Sequence, residues 1–368
     1  MIKRFEINNF KGLKEGDLSF GKLNLLAGLN GMGKSSLIQA LLLLRHSDRI
    51  AEGVLNLNPE EFISLGRGKD VFYQYGEEKH ISFIIENREG TRLKWDFDYA
   101  PQNDYLKSEQ RYDRHEIKNS FNLFSENFQY LQTERFGPRA FYPSSSLHVN
   151  TLKQIGSKGE FAAHYIDEYG IEDIIHPDVL HHPSARSRSL THELNAWLGE
   201  ISPGTKLNTT AVSGTEMILL DIQFETKNDY TNRFRPSNVG FGISFVLPVV
   251  LALLMAKEDR LIIIENPEAH LHPRGQAELG KLMARAAATG AQLIIETHSD
   301  HILNSVRVSV KNGEINKDDV KIFFFDRKNT REEQYSFITP VQIDRNGELS
   351  EYPENFLQEW NNQLFRLL

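Results

Sequence analysis

The run Gly28-Leu29-Asn30-Gly31-Met32-Gly33-Lys34-Ser35 limits what this chain can fold into more than any other feature. Glycines at this density weaken any regular helix or strand. Yet the run follows Leu23 to Ala27, a continuous apolar stretch of buried-strand type, and precedes Ser35 to Leu44, where Leu37, Ile38, Ala40, Leu41 and Leu44 carry helical continuity. The order is strand, tight glycine loop, helix, with the spacing G-x-x-x-x-G-K-[ST] satisfied in full. Glycines let backbone N–H groups converge on phosphate oxygens without side-chain clash. The following helix aims its positive end at the same anion. Lys34 can neutralise β- and γ-phosphate charge and Ser35 can ligate Mg²⁺. The run therefore predicts nucleotide binding over its competitor, a chance glycine turn before a helix.

Composition bounds the rest. A chain of 368 residues, 40% apolar and 25% charged, is an ordinary globular protein of two domains, or of one large domain with an inserted subdomain. It contains no cysteine, which excludes disulfide scaffolds, cysteine zinc sites, iron–sulfur clusters and thiol nucleophiles, and fits a reducing cytoplasm. Met1 to Glu6 alternates polar and apolar and lacks the apolar core of a signal peptide. The longest apolar run, Ile243 to Ala256, is interrupted by Ser244 and Pro248 and falls short of the roughly 20 residues a membrane helix needs. The expectation is a cytoplasmic protein without a membrane partner. A net charge of −8 disfavours a non-specific nucleic-acid coat while leaving room for a local basic groove.

Along the chain, the first forty residues read as two short strands, a loop and a helix. Between about 70 and 235 the texture changes. His80 to Glu86, Leu93 to Tyr99 and Met217 to Phe224 read as strands, the second by strict alternation. Pro101 to Ser120 reads as a polar excursion loop. Phe161 to Tyr169 and Leu190 to Ile201 read as helices, the second with Ser189 as N-cap. No heptad seam is sustained. From Pro236 strand–helix alternation returns: a helix over Ile243 to Met255, a strand over Leu261 to Ile264, a helix over Gln276 to Ala288 ended by Gly290, and a strand over Gln292 to Glu296. That is the rhythm of a parallel α/β sheet. Lys321 to Phe325 and Val341 to Ile343 read as late strands, and Asn355 to Leu368 as a mixed tail.

Three further motifs carry chemistry. Leu261-Ile262-Ile263-Ile264-Glu265-Asn266-Pro267-Glu268 ends a hydrophobic strand in a carboxylate, as loop-plus-strand nucleotide enzymes place an acid beside Mg²⁺. Alone it would be an ordinary buried strand. Glu296-Thr297-His298-Ser299 puts a histidine and hydroxyls at a strand's C-terminal edge, where open α/β folds bind ligands. Pro236-Ser237-Asn238-Val239-Gly240-Phe241-Gly242 places small residues at a helix start, an anion site or a plain helix entry.

In this order and spacing the four elements resemble the ABC-type ATPase heads of the SMC, RecF and OLD-like group. "IKRFEINNFKGLKEGDLSFGKLNLLAGLNGMGKSSLIQAL" resembles their N-terminal strands and Walker A. "LIIIENPEAHLHP" resembles Walker B with D-loop, "IIETHSDHIL" the switch histidine, and "PSNVGFGISFVLPVVLALL" a degenerate signature. "YLQTERFGPR" is similar to a stretch of the short stand-alone bacterial members. The resemblance implies an α/β fold: a P-loop NTPase of ABC-ATPase head type, a mixed sheet flanked by helices, with an inserted lobe. It implies a core at 1–70 and 230–345, a lobe at 71–229 and a C-terminal segment at 346–368. It implies ATP and Mg²⁺ as ligands and a homodimer sandwiching two ATP molecules, with higher oligomers open. Asn30, Gly31, Gly33, Lys34, Ser35 and Ser36 would hold phosphates. Ser35, Glu265 and Gln132 would serve the metal, Gln74 being the alternative to Gln132. Glu265, Glu268 and His298 would be catalytic. The group's usual acid pair is Asp then Glu; here it is Glu265 then Asn266. Because an amide has no useful proton affinity, the resemblance leaves the base's role to Glu268, the alternative being a slow or non-hydrolysing switch. His270-Leu271-His272 would be the D-loop. Ser237, Asn238, Gly240 and Gly242 would contact the partner's nucleotide.

Three roles remain for such a head. One is an ATP-driven regulator of a separate effector, a nuclease or toxin, in bacterial anti-phage defence. Another is a DNA-repair or DNA-maintenance ATPase binding duplex, with Arg135, Arg139, Arg186 and Arg188 as the basic patch, although solvated loop charge is the plainer reading of these arginines. A transporter subunit fits less well. Asp326 and Asp344 read as solvated loop residues, and His181-His182-Pro183 as a loop without the second cluster a metal needs.

Overall fold

Regular elements follow hydrophobic period closely. A computed structural model of the chain describes residues 1–60, 62–353 and 366. In chain order the elements are β1 (Ile2–Phe10), β2 (Leu13–Ser19), β3 (Leu23–Gly28), α1 (Lys34–His46), β4 (Val54–Asn56), α2 (Gly68–Val71), β5 (His80–Asn87), β6 (Arg92–Asp98), β7 (Tyr105–Ser108), α3 (Arg114–Ser120), β8 (Phe128–Leu131), β9 (Phe141–Pro143), α4 (Ala162–Tyr169), α5 (Pro177–Leu180), α6 (Leu190–Ile201), β10 (Thr205–Ala211), β11 (Met217–Phe224), α7 (Phe241–Leu254), β12 (Leu261–Glu265), α8 (Pro273–Ala288), β13 (Gln292–Glu296), α9 (Asp300–Lys311), β14 (Val320–Asn329) and β15 (Gln334–Val341).

The chain divides into two units: Met1–Glu126 with Val320–Asp344 and Leu349–Leu368, and Asn127–Asp319 with Arg345–Glu348. That division cuts the expected 71–229 lobe. The reason lies in pairing: β5 runs antiparallel along β1, Phe5 opposite Ile85 and Ile7 opposite Phe83, so β5 to β7 extend the N-terminal sheet.

The first unit carries a mixed sheet in the order β4-β7-β6-β5-β1-β2-β15-β14-β3. Its core gathers Phe5, Phe10, Phe83 and Phe97, with ring centroids 5.4 Å apart for Phe10–Phe83 and 6.0 Å for Phe83–Phe97. β14 runs parallel to β3 and forms a hairpin with β15. The second unit carries β12 parallel to β8 and β13, strands whose apolar centres are buried as a parallel arrangement covered on two faces demands, with Gln129, Gln292 and Glu296 as buried polar exceptions. A separate antiparallel set runs β10-β11-β9. α7 is buried almost all round, which explains a run apolar on every face.

Several expectations need correcting. The N-terminus holds three strands before the glycine loop; β2 was hidden because Lys14, Glu15 and Asp17 face outward while Asn9 and Lys11 adopt positive φ to make the turn. Pro101 to Ser120 is not all loop: β7 pairs with β4 and α3 is capped by Asp113 through the Glu116 N–H. Val341 ends β15, and Ile343 makes only an isolated bridge to Leu349. Ser189 occupies the N-cap position of α6 without a side-chain cap; its hydroxyl pairs with His192 instead. The expected tail at 355–368 lies outside the described residues, save residue 366.

Candidate functional site

In the first unit the glycine loop is shaped from below by β14. Gly28 has φ +131°, and a Cβ there would lie 2.2 Å from the Phe325 carbonyl oxygen of the paired strand. Only glycine fits. Gly31 and Gly33 also have positive φ, and Gly33 opens α1 as its N-cap. The first turn of α1 holds no acidic residue and Gly33 has no side chain to cap it, so the helix's positive end suits an external anion. Lys34 is 3% exposed. Its Nζ donates to the carbonyls of Gly28 (2.9 Å) and Leu29 (2.8 Å). Arg327, from β14, donates to the Gly31 carbonyl. Asn30, Gly31 and Ser35 are exposed, and Ser36 is half-buried. A loop of turned amides, a helix N-terminus, one lysine and one exposed hydroxyl fit a nucleoside polyphosphate with Mg²⁺.

In the second unit β12 delivers Glu265 to a turn that β8 and its following loop grip. Glu265 accepts from the Tyr130 hydroxyl (3.1 Å) and the Thr133 hydroxyl (3.0 Å). Asn266 sits at φ +44°. Its N–H donates to the Glu296 carbonyl at 2.8 Å, and its Nδ2 to the Thr133 hydroxyl at 2.9 Å. Arg135, 3% exposed, donates to the main-chain carbonyls of Glu265 (2.5 Å) and Asn266 (3.1 Å). Burial pushes the Arg135 guanidinium down to about 10, opposed by the charges of Glu268 and Glu265. Burial first, then Glu265, pushes the Tyr130 phenol above its usual range. Glu268 accepts from the Thr297 hydroxyl (2.9 Å) and the His298 N–H (2.6 Å), tying the acid turn to the end of β13. His298 itself is exposed, and Ser299 caps α9 by accepting from the Ile302 N–H at 3.1 Å. Gln132 directly follows β8; its N–H donates to the Ser157 carbonyl at 2.9 Å, and its Nε2 is buried with no hydrogen-bond partner among the described residues. Gln74, its alternative, is exposed in the first unit.

The second unit thus brings Glu265, Glu268, His298 and Gln132 into one cluster of strand ends. Ser237, Asn238 and Gly240 lie exposed at the entry to α7. A Cβ on Gly242 would come within 2.9 Å of the His270 carbonyl oxygen, so that glycine permits the α7 entry to approach the β12–α8 loop. His270 adopts φ +64° with its ring 4.6 Å from that of Phe245, while His272 caps α8 by accepting from the Arg274 N–H at 3.3 Å.

The arginine patch is a correction. Arg135 is buried on backbone carbonyls and cannot meet a duplex. Arg186 pairs with Glu225 (3.7 Å) and Arg188 with Asp178 (3.4 Å), and Arg139 lies over the Phe136 ring at 4.7 Å. His181 and His182 are engaged with the fully buried Glu193 (2.5 Å from His181 Nδ1, 2.8 Å from the His182 N–H). Among the described residues no group of three His, Asp or Glu could hold a metal, and no helix is long and apolar enough to cross a membrane. Sequence reasoning missed Tyr130, Thr133 and Arg327, whose roles come only from pairing over long sequence distances, and placed the Thr297 hydroxyl at its strand edge without its partner Glu268.

Comparison with known proteins agrees with the fold. The chain is similar to the crystal structure of an SMC head bound to the C-winged helix domain of ScpA (TM-score 0.51, 12% identity, covering 92% of this chain and 98% of that one). It is similar to an Smc head domain with an extended coiled coil bound to the C-terminal domain of ScpA, derived from Pyrococcus furiosus (0.52, 14%, 100% and 99%). It is 33% identical over 99 residues to the DNA replication and repair protein RecF of Glaesserella parasuis serovar 5 (strain SH0165), covering 25% of this chain and 26% of RecF. The chain thus spans about a quarter of that relative's length. Residues 315–367 match a family described as a protein of unknown function (DUF3696). Residues 23–304 match the family described as "AAA domain, putative AbiEii toxin, Type IV TA system". That match takes in well over half of the sequence, and the chain belongs to this family, with the ABC-type ATPase head fold of the SMC/RecF-like group.

Proposed function

We propose that this chain is an Mg²⁺-dependent ATPase that works as a homodimer, closes on two ATP molecules and drives a separate effector, a nuclease or toxin, in bacterial anti-phage defence. The observation that carries the ATP reading is the glycine loop: glycines at positive φ, carbonyls held by Lys34, and a helix N-terminus without an acid. In this reading Asn30, Gly31, Gly33, Lys34, Ser35 and Ser36 hold phosphates. Mg²⁺ would be held by Ser35 and Glu265 with Gln132 and would supply charge neutralisation on the phosphates. Lys34 shifts its ammonium from the loop carbonyls toward phosphate oxygen. Glu268 orients and deprotonates the attacking water, since Asn266 cannot. His298 senses the γ-phosphate, and Ser237, Asn238, Gly240 and Gly242 contact the partner's nucleotide. The family's description as a putative toxin of a toxin–antitoxin system is consistent with a defence role.

The test is mass by light scattering with and without ATP–Mg²⁺, alongside phosphate release, on wild type, Lys34→Ala and Glu268→Gln. The expected result is an ATP-dependent dimer, loss of binding and turnover in Lys34→Ala, and a Glu268→Gln dimer that persists with turnover reduced by about 100-fold or more. Turnover in Lys34→Ala equal to wild type would end the reading. The short likeness to RecF favours one second role, duplex binding by the ATP-loaded dimer. It requires ATP-dependent binding that weakens steeply with salt.

A further inference from the structure

We propose that Arg327 is a positioning residue of the nucleotide loop: reaching from β14, it holds the Gly31 peptide so that the Met32 N–H faces a bound nucleotide's phosphate. This rests on the ATP reading above and deepens it.

The β14–β15 hairpin meets the loop at each of its glycines. The missing Cβ of Gly28 would strike the Phe325 carbonyl oxygen at 2.2 Å, that of Gly31 would lie 3.5 Å from Arg327 Nη2, and that of Gly33 would lie 3.1 Å from Ser336 Oγ. Phe325 and Gly28 are the last matched pair of the parallel β14–β3 ladder, and Arg327 stands two residues beyond it, beside the loop. The Asp326 carboxylate accepts the Arg327 N–H at 2.7 Å and fixes the main chain there. Arg327 is exposed, so its charge remains near solvent, yet its guanidinium is spent on one carbonyl of the loop.

Two cations therefore divide the loop's carbonyls. Lys34 takes those of Gly28 and Leu29, and Arg327 takes that of Gly31. In a planar trans peptide the N–H points opposite to the C=O. Holding these three carbonyls turns the N–H groups of Leu29, Asn30 and Met32 away from the cations. That is the orientation an anion needs. Lys34 belongs to the loop motif itself. Arg327 lies about 300 residues away in sequence and gives the hairpin, part of the segment matched to a family of unknown function, a place at the nucleotide.

The amides of such a loop serve the phosphates that ATP and ADP share, so a positioning residue affects both nucleotides. The experiment titrates ATP and ADP calorimetrically into the full chain as wild type, Arg327→Met and Arg327→Lys, with melting curves of the nucleotide-free proteins. The expected result is that Arg327→Met weakens ATP and ADP alike by about tenfold, the size of a lost charge-assisted hydrogen bond. Arg327→Lys, which can still donate to Gly31, recovers part of the loss, and the nucleotide-free melting temperatures stay together. If Arg327→Met is unfolded, Arg327→Lys alone decides, by an equal but smaller loss for both nucleotides. Unchanged affinities would reduce Arg327 to a surface charge. A loss confined to ATP would make it a γ-phosphate contact and overturn the positioning role. A wild type that binds neither nucleotide would overturn the ATP reading itself, and the positioning role with it.

Discussion

The glycine loop after β3 and the acid turn after β12 solve one problem in opposite ways. Each is a strand end that must hold main-chain carbonyls in an unusual direction. At the glycine loop the backbone is the reagent: three glycines accept positive φ, the carbonyls of Gly28, Leu29 and Gly31 are drawn to Lys34 and Arg327, and the amides are left for a ligand. At the acid turn the side chains are the reagent. Glu265 and Glu268 already accept from Tyr130, Thr133, Thr297 and the His298 N–H, and a buried arginine fixes the carbonyls beneath them. Under the proposed function the first leaves its amides to phosphate, whereas the second spends its carboxylate acceptors on neighbouring donors. Phosphate recognition by amides needs freedom from side chains, whereas an acid that holds a metal or water needs a fixed carboxylate.

The contrast breaks first at Gly28. Gly28→Ala forces both a strained φ and a Cβ 2.2 Å from Phe325 O. A loss of stability above about 3 kcal/mol is expected by denaturant titration. Gly90 has φ +90° with nothing within 4 Å, so Gly90→Ala isolates the backbone strain alone and should cost about 1 kcal/mol. Equal losses at the two positions would mean that β14 does not shape the loop.

The same contrast explains what the sequence made legible. The loop's requirements are local, so Gly28, Gly31, Gly33 and Lys34 could be read from spacing within eight residues. β12 and β13 were legible as unbroken apolar runs, and α7 as a helix apolar on all sides. The acid turn depends on residues 130 to 135 meeting residues 265 and 266, a contact that no local pattern encodes. Arg135 was therefore read as surface charge for a duplex, when it is the most deeply engaged cation of the turn. Likewise β2 and β7 were lost because strands with charged outer faces and few apolar residues look like loops until their partners are known.

Arg135 sharpens the comparison next. Arg135→Met keeps the apolar stem and removes the donors, leaving the Glu265 and Asn266 carbonyls without their arginine. The expected loss is about 2–3 kcal/mol of stability, from buried acceptors left unsatisfied, together with reduced phosphate release. Thr133→Val removes one hydroxyl shared by Glu265 and Asn266 and should cost about 1 kcal/mol. ATP affinity set by the glycine loop should change little in either variant. A nucleotide-binding loss as large as that in Lys34→Ala would mean that the two turns do not divide the labour as described.

The smallest effect separates the two regions by pH. α1, which the glycine loop opens, ends at His46, whose ring packs on Phe62 and lies 3.6 Å from Glu60. Burial first, and then the charge of Arg45, holds this imidazole down at about 4. Its folded value is therefore below its unfolded value of 6.5. Between those values the unfolded chain binds more protons, so stability is full above pH 6.5 and is lost as pH falls toward 4. Moving from pH 8 to pH 5.5 should cost about 1 kcal/mol through His46. The acid turn has no such dependence through Arg135, which stays charged throughout that range. Denaturant titrations at both pH values should give His46→Gln a flatter pH response than wild type by that amount. Parallel responses would place the acid sensitivity elsewhere and remove pH as a distinction between the glycine loop's helix and the acid turn.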